Sequence, residues 1–150
     1  SVSICLSKGL GIPAGSVLTG GKEFIEKAKR VRKVMGGAMR QAGYLAAAGV
    51  YALENNIERL KDDHKKARRI ADTLKEQSYV KNILPVDSNI LVVELSDDTN
   101  TEKTLSWLEE NGILAVPFGP NTIRMVTHLD VSDEDVEKVI EVVGEKEMKN

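Results

Sequence analysis

Between residues 9 and 15 every second position is glycine or proline: Gly9, Gly11, Pro13 and Gly15. A run this dense in punctuators ends both helix and strand and lets the backbone pass close to another group. Just before it, Val2, Ile4 and Leu6 alternate with Ser1, Ser3 and Cys5, the period-two pattern of a short strand with one apolar face. The fold must therefore deliver one lysine, Lys8, from a strand end into a glycine-paved turn. A lysine so placed can form a Schiff base with a carbonyl where desolvation or nearby cations depress its pKa. It can equally be a surface lysine in a polar turn, and the local pattern alone does not separate the two.

Residues 16–19 read as a second short strand, ended by Gly20 and Gly21. Two short strands are marginal in water, so residues 1–20 read as the edge of a sheet whose remaining strands lie elsewhere. Residues 22–35 follow as an amphipathic helix with Phe24, Ile25, Ala28, Val31 and Met35 on one stripe, closed by Gly36 and Gly37. Residues 38–77 read as one very long helix or two nearly in line. Its first half, around Ala46, Ala47, Ala48 and Gly49, is small and apolar enough to be buried against another helix or subunit. Its second half carries Ile57, Leu60, His64, Ala67, Ile70, Ala71 and Leu74 on one stripe, the pattern of a surface helix lying on a small domain.

Beyond residue 82 the pattern changes. A buried strand is expected over 89–95, a helix over 101–111 stopped by Gly112, and two antiparallel strands over 113–118 and 122–127. A last helix starts at Ser132, with Asp135 at the capping-box position and Val136, Val139, Ile140 and Val143 on its apolar face. The order helix, strand, helix, strand, strand, helix describes a two-layer α+β unit. His64, on an apolar stripe without metal-spaced companions, is expected to pack or to face solvent. His128, four residues after Arg124, is expected on the same strand face as that arginine. Cys5 is expected to be a small buried residue of its strand.

At 150 residues, 41% of them hydrophobic, the chain is long enough for one ordinary core. The net charge of -2 implies no broad attraction to nucleic acid. One cysteine excludes an internal disulfide and fits a reducing cytoplasm. No signal peptide is expected, and the sequence holds no apolar run of the roughly 18 residues needed for a membrane helix. The chain begins with Ser1, not Met, and is expected to be a piece of something longer.

The segment Ser-Val-Ser-Ile-Cys-Leu-Ser-Lys-Gly-Leu-Gly, with Pro13, Gly15 and Ser16, resembles the cofactor-lysine segment of the low-specificity L-threonine aldolases. Gly36-Gly37-Ala38-Met39-Arg40-Gln41-Ala42-Gly43 resembles that family's next signature, and Ile123-Arg124-Met125-Val126-Thr127-His128 its carboxylate-binding strand. The resemblance runs through essentially the whole chain but over only the family's C-terminal part. It implies an α/β fold, the C-terminal portion of a fold type I, aspartate-aminotransferase-like enzyme dependent on pyridoxal 5'-phosphate. Residues 1–37 would be a remnant of the large domain with edge strands of its sheet, 38–77 a long linking helix, and 78–150 a small α+β domain.

The same resemblance implies roles. Lys8 would hold pyridoxal 5'-phosphate as a Schiff base, Arg40 and Lys33 would lie near the cofactor, and Arg124 would bind the substrate α-carboxylate. A planar guanidinium making two parallel hydrogen bonds suits that last task. The solvated-surface reading stays open for Lys33, Arg40 and Arg124. The implied reaction is retro-aldol cleavage of L-threonine or L-allo-threonine to glycine and acetaldehyde, in a homo-oligomer, dimer or tetramer, with no metal. The family's cofactor-stacking histidine, ring-nitrogen aspartate, phosphate loop and a further arginine belong to an N-terminal half this sequence lacks. Little aldolase activity is therefore expected without that half. The alternatives are a noncatalytic α+β oligomerisation domain and a β-eliminating lyase of the same fold.

Overall fold

The alternating pattern of the first six residues and the valine-leucine pair after the glycine turn make a hairpin. In the computed structural model, which describes residues 1–145, strand β1 (Val2–Cys5) pairs antiparallel with β2 (Ser16–Thr19), Val2 opposite Thr19 and Cys5 opposite Ser16. Every residue of both strands is exposed. The expectation that Cys5 is buried is therefore corrected: its side chain, like every residue of this two-stranded sheet, is left exposed.

Helix α1 (Lys22–Val34) ends where the glycine pair predicts. Gly36 adopts φ +78° and donates its N–H to the Lys33 carbonyl at 3.2 Å, while Gly37 donates to the Arg32 carbonyl at 2.8 Å. These two bonds satisfy carbonyls that the last turn leaves without intrahelical partners. No residue of α1 is buried, and Val31 and Met35 on its apolar stripe are 56% and 81% exposed.

The stretch expected as one helix, or two nearly in line, is two separate helices, α2 (Gly43–Asn55) and α3 (Leu60–Lys75). The break falls at a pair of asparagines, whose side chains compete with the helix for backbone partners. Asn55 donates Nδ2–H to the Tyr51 carbonyl at 2.8 Å, and Asn56 caps α2 and turns its amide to a distant loop. The alanine-rich face expected to be covered is open, with Tyr44 88% exposed; only Gly49 and Ala52 of α2 are buried.

The chain divides into two compact units, Ser1–Leu60 and Lys61–Asn150. In the first unit Leu6, Leu10 and Ile12 pack on Ala52, with Ala48 and Leu60 against them. The second unit is built on a four-stranded antiparallel sheet of order β3-β4-β6-β5. Its strands are β3 (Val80–Ile83), β4 (Ile90–Leu95), β5 (Val116–Pro117) and β6 (Thr122–Val126). β3 was not legible in the sequence: Lys81 and Asn82 interrupt any apolar run, and a register shift between Val80 and Asn82 spoils the alternation.

Helices α4 (Thr101–Glu110) and α5 (Asp133–Gly144) complete this unit. One sheet face buries Leu91, Val93, Leu95, Ile123 and Met125 against Ala67, Ile70, Ala71 and Leu74 of α3, Leu108 of α4, and Val136 and Val143 of α5. Each fully buried side chain of this size contributes about 1.5–3 kcal/mol. The capping box forms in full: Asp135 N–H donates to Ser132 Oγ at 3.0 Å, and Ser132 N–H to Asp135 Oδ2 at 2.9 Å.

Candidate active site

Lys8 sits where β1 stops. Leu6, the residue that follows β1, is buried and anchors the turn in the core of the first unit, after which Ser7 and Lys8 are exposed. The turn closes on itself: Leu6 N–H donates to the Gly15 carbonyl at 3.0 Å and Ile12 N–H to the Leu6 carbonyl at 3.4 Å. Gly11 at φ +75° and Gly15 at φ +123° occupy backbone conformations that side-chain-bearing residues rarely adopt. At Gly9 a Cβ would lie 2.7 Å from Leu60 Cδ2, so the leucine side chain would have to shift to admit one.

Three successive carbonyls of this turn are held. Gly11 N–H donates to Lys8 O at 2.8 Å, Arg59 Nη1 to Gly9 O at 3.3 Å, and Asn56 Nδ2 to Leu10 O at 2.8 Å. The backbone under Lys8 is thus fixed, while its amine has no hydrogen bond or ion pair among the described residues. Cys5, three residues earlier, lies with its Sγ 3.4 Å from Ser7 Oγ. Hydrogen bonding to the Ser7 side chain, then to its backbone, holds the thiol below its usual pKa, and the Lys8 charge acts in the same direction.

Lys33 is exposed in the last turn of α1, where a cation also complements the helix dipole. Arg40 does not begin a helix: α2 starts at Gly43, and Arg40 is exposed in the turn before it. No hydrogen bond or ion pair among the described residues ties Lys33 or Arg40 to the Lys8 turn.

Arg124 belongs to the second unit, at the centre of β6, opposite Val92 on one side and Val116 on the other. Its neighbours Ile123 and Met125 point into the core, so strand alternation puts Arg124 on the opposite sheet face. The guanidinium carbon lies 5.5 Å from the centre of the Phe118 ring, and Nε is buried without a hydrogen-bond partner. A cation over an aromatic ring with a buried, unused donor is an arrangement that can receive an anion. His128 does not share the strand face as expected. β6 ends at Val126, and His128 is exposed in the loop beyond it, its Nδ1 accepting from Asp130 N–H at 3.3 Å. Among the described residues no group of three or more His, Cys, Asp or Glu side chains is placed to hold a metal ion. No helix among them is long and apolar enough to cross a membrane.

The sequence singles out Lys8 and Arg124 but not Asn56 and Arg59, whose side chains hold the carbonyls of the Lys8 turn. The adjacent asparagines at the end of an alanine-rich helix were the available signal, since asparagine at such a position turns its amide to nearby backbone.

Known proteins resemble this chain in sequence and in fold. A "Probable low-specificity L-threonine aldolase 2" of Arabidopsis thaliana is 46% identical over 143 residues, which are 93% of this chain and 40% of that protein. The "Low specificity L-threonine aldolase" of Escherichia coli strain K12 is 43% identical over 141 residues, again 93% of this chain and 40% of that protein. The chain therefore spans about 40% of the length of the curated relatives it matches. A PLP-dependent aminotransferase from Streptococcus suis superposes with a TM-score of 0.70 at 20% identity, over 95% of this chain and 40% of that one. This likeness assigns the fold, that of a fold type I fragment. The family model for the Beta-eliminating lyases matches residues 1–98, from the lysine turn through the first two strands of the second unit, and the chain belongs to that family.

Proposed function

We propose that this chain is the C-terminal part of a threonine aldolase and acts with an N-terminal half that supplies the rest of the site. The observation that carries the reading is the Lys8 turn: an exposed amine without hydrogen bond or ion pair among the described residues, on backbone fixed by three successive carbonyl bonds. The 43–46% identity to low-specificity threonine aldolases supports the choice of reaction.

The residues fit pyridoxal 5'-phosphate and an amino-acid substrate. Lys8 would hold the cofactor through its amine, and the cationic side chains of Arg40 and Lys33 suit its phosphate. When bound, the cofactor supplies an electron sink for the pair left on the α-carbon as the bond between the α and β carbons breaks. Arg124 would receive the substrate carboxylate on its unused Nε–H and one Nη–H, two parallel bonds that fix the substrate's orientation. The Phe118 ring, 5.5 Å from the guanidinium carbon, limits the directions the guanidinium can take, so less orientational freedom would be lost when the anion arrives. Cleavage of threonine to glycine and acetaldehyde conserves every atom and needs no oxidant or water.

The exposed apolar stripe of α1 and the open face of α2 suit burial in a homo-oligomer, dimer or tetramer, or against the N-terminal half. A reducing cytoplasm suits the exposed Cys5 thiol. β-Elimination is the second reading, favoured by the family description. Assembled with its N-terminal half, the wild type is expected to release glycine and acetaldehyde in equal amounts from L-threonine, and Lys8→Ala to lose this release. Ammonia and 2-oxobutanoate in place of the aldehyde would favour elimination, and turnover by Lys8→Ala would overturn both.

A further inference from the structure

From the bonds under the lysine turn we infer that Asn56 is a positioning residue for Lys8, with Arg59 as its second strut; this rests on the reading of Lys8 as the reactive amine. Asn56 is 46 positions from Leu10 in sequence, yet its Nδ2–H donates to the Leu10 carbonyl at 2.8 Å from a part-buried site. It is also the C-cap of α2, its own N–H bonded to Ala52 O at 2.8 Å. Its backbone therefore ends the helix while its side chain holds the turn, which fixes the turn to a rigid element.

The neighbouring bonds make this more than a surface contact. Arg59 Nη1 holds Gly9 O, one residue away, and Gly11 N–H holds the carbonyl of Lys8 itself. The two side-chain bonds come from one short segment after α2 and hold the two carbonyls that follow that of Lys8. Leu10, whose carbonyl Asn56 holds, is buried with Leu6, Ile12 and Ala52, so its side chain cannot follow a backbone that swings outward. Without the Asn56 bond, the 8–11 turn is held by the Arg59 bond, the longer at 3.3 Å, and by its own closing bond. An amine at the end of a four-carbon stem then samples more directions, and attack on a fixed carbonyl slows for want of orientation.

Asn56→Asp keeps the shape and removes the donor; Asn56→Gln keeps the donor on a longer arm. Hydrogen exchange of the Gly11 amide in the chain as it stands reads the turn directly. Asn56→Asp is expected to speed that exchange about tenfold, the factor that corresponds to one lost hydrogen bond of ordinary strength. Exchange in α3 and α5 should not change, and Asn56→Gln should recover part of the protection. The second readout, in the chain assembled with its N-terminal half, is the fraction of Lys8, relative to Lys33, carrying a borohydride-fixed adduct after brief exposure to pyridoxal 5'-phosphate. Asn56→Asp should lower that ratio and Asn56→Gln partly restore it. Wild-type protein without a Lys8 adduct would overturn the reading of Lys8 and leave Gly11 exchange to decide the role of Asn56. A wild-type adduct, with Gly11 exchange and the labelling ratio both unmoved by Asn56→Asp, would overturn the positioning role alone.

Discussion

Replacing Arg124 by methionine separates a binding residue from a structural one. The Nε donor is buried and unpartnered, which costs the folded chain about 1–3 kcal/mol. The guanidinium recovers about 0.5–1 kcal/mol from the Phe118 ring 5.5 Å away. Methionine has a stem of similar length, no donor to leave unsatisfied, and a sulfur that also favours an aromatic neighbour. Arg124→Met should therefore leave the C-terminal unit about 1 kcal/mol more stable. For a unit of this size, residues 61–150, that is a rise in Tm of about 4–8 °C, read by circular dichroism at neutral pH. In the assembled enzyme the same substitution would remove the two proposed charge-assisted bonds to the carboxylate, each worth about 1.5–3 kcal/mol. At the lower limit of that range, kcat/KM for threonine falls by about two orders of magnitude. A fall in Tm, or an unchanged kcat/KM, would refute the argument that this arginine is kept for a ligand.

Other consequences concern the unit that carries Arg124. Ser132→Ala removes half of the α5 capping box and should cost about 1 kcal/mol, measured by thermal or urea unfolding. Asp135, held below its usual carboxylate value first by the Ser132 backbone bond and then by the Ser132 hydroxyl, contributes stability above pH 3.8 that is lost as pH falls through its lower folded value. The stability difference between wild type and Asp135→Asn should accordingly be constant near neutrality and shrink in acid. Burial pushes the Tyr79 hydroxyl, bonded at 2.9 Å to the Val143 carbonyl, up to about 12. Its contribution is complete below pH 10 and is lost as pH rises towards 12; a phenolate difference spectrum against Tyr79→Phe should show the late titration.

Local chemistry made some elements legible and tertiary packing hid others. Gly36 announced the end of α1, and Ser132 with Asp135 announced the start of α5, because both signals act within one helical turn. The lysine turn was legible because glycine at φ +75° and +123° has few substitutes. β3 was not, since Val80 to Ile83 is a strand only by virtue of its pairing with β4. Burial failed for Cys5, which is exposed, while the alanine face of α2 is left open by this chain's own described residues. Lys8 and Arg124 could be singled out one by one. The bonds from Asn56 and Arg59 could not, since they join positions 46 and 50 residues apart.

The most direct test of the central claim is to incubate the assembled protein with pyridoxal 5'-phosphate, reduce with borohydride, and locate the added mass by peptide mapping. The account predicts one modified lysine, Lys8, with protection when threonine is present during labelling. Label on Lys33 or on surface lysines at random, with Lys8 unmodified, would contradict it.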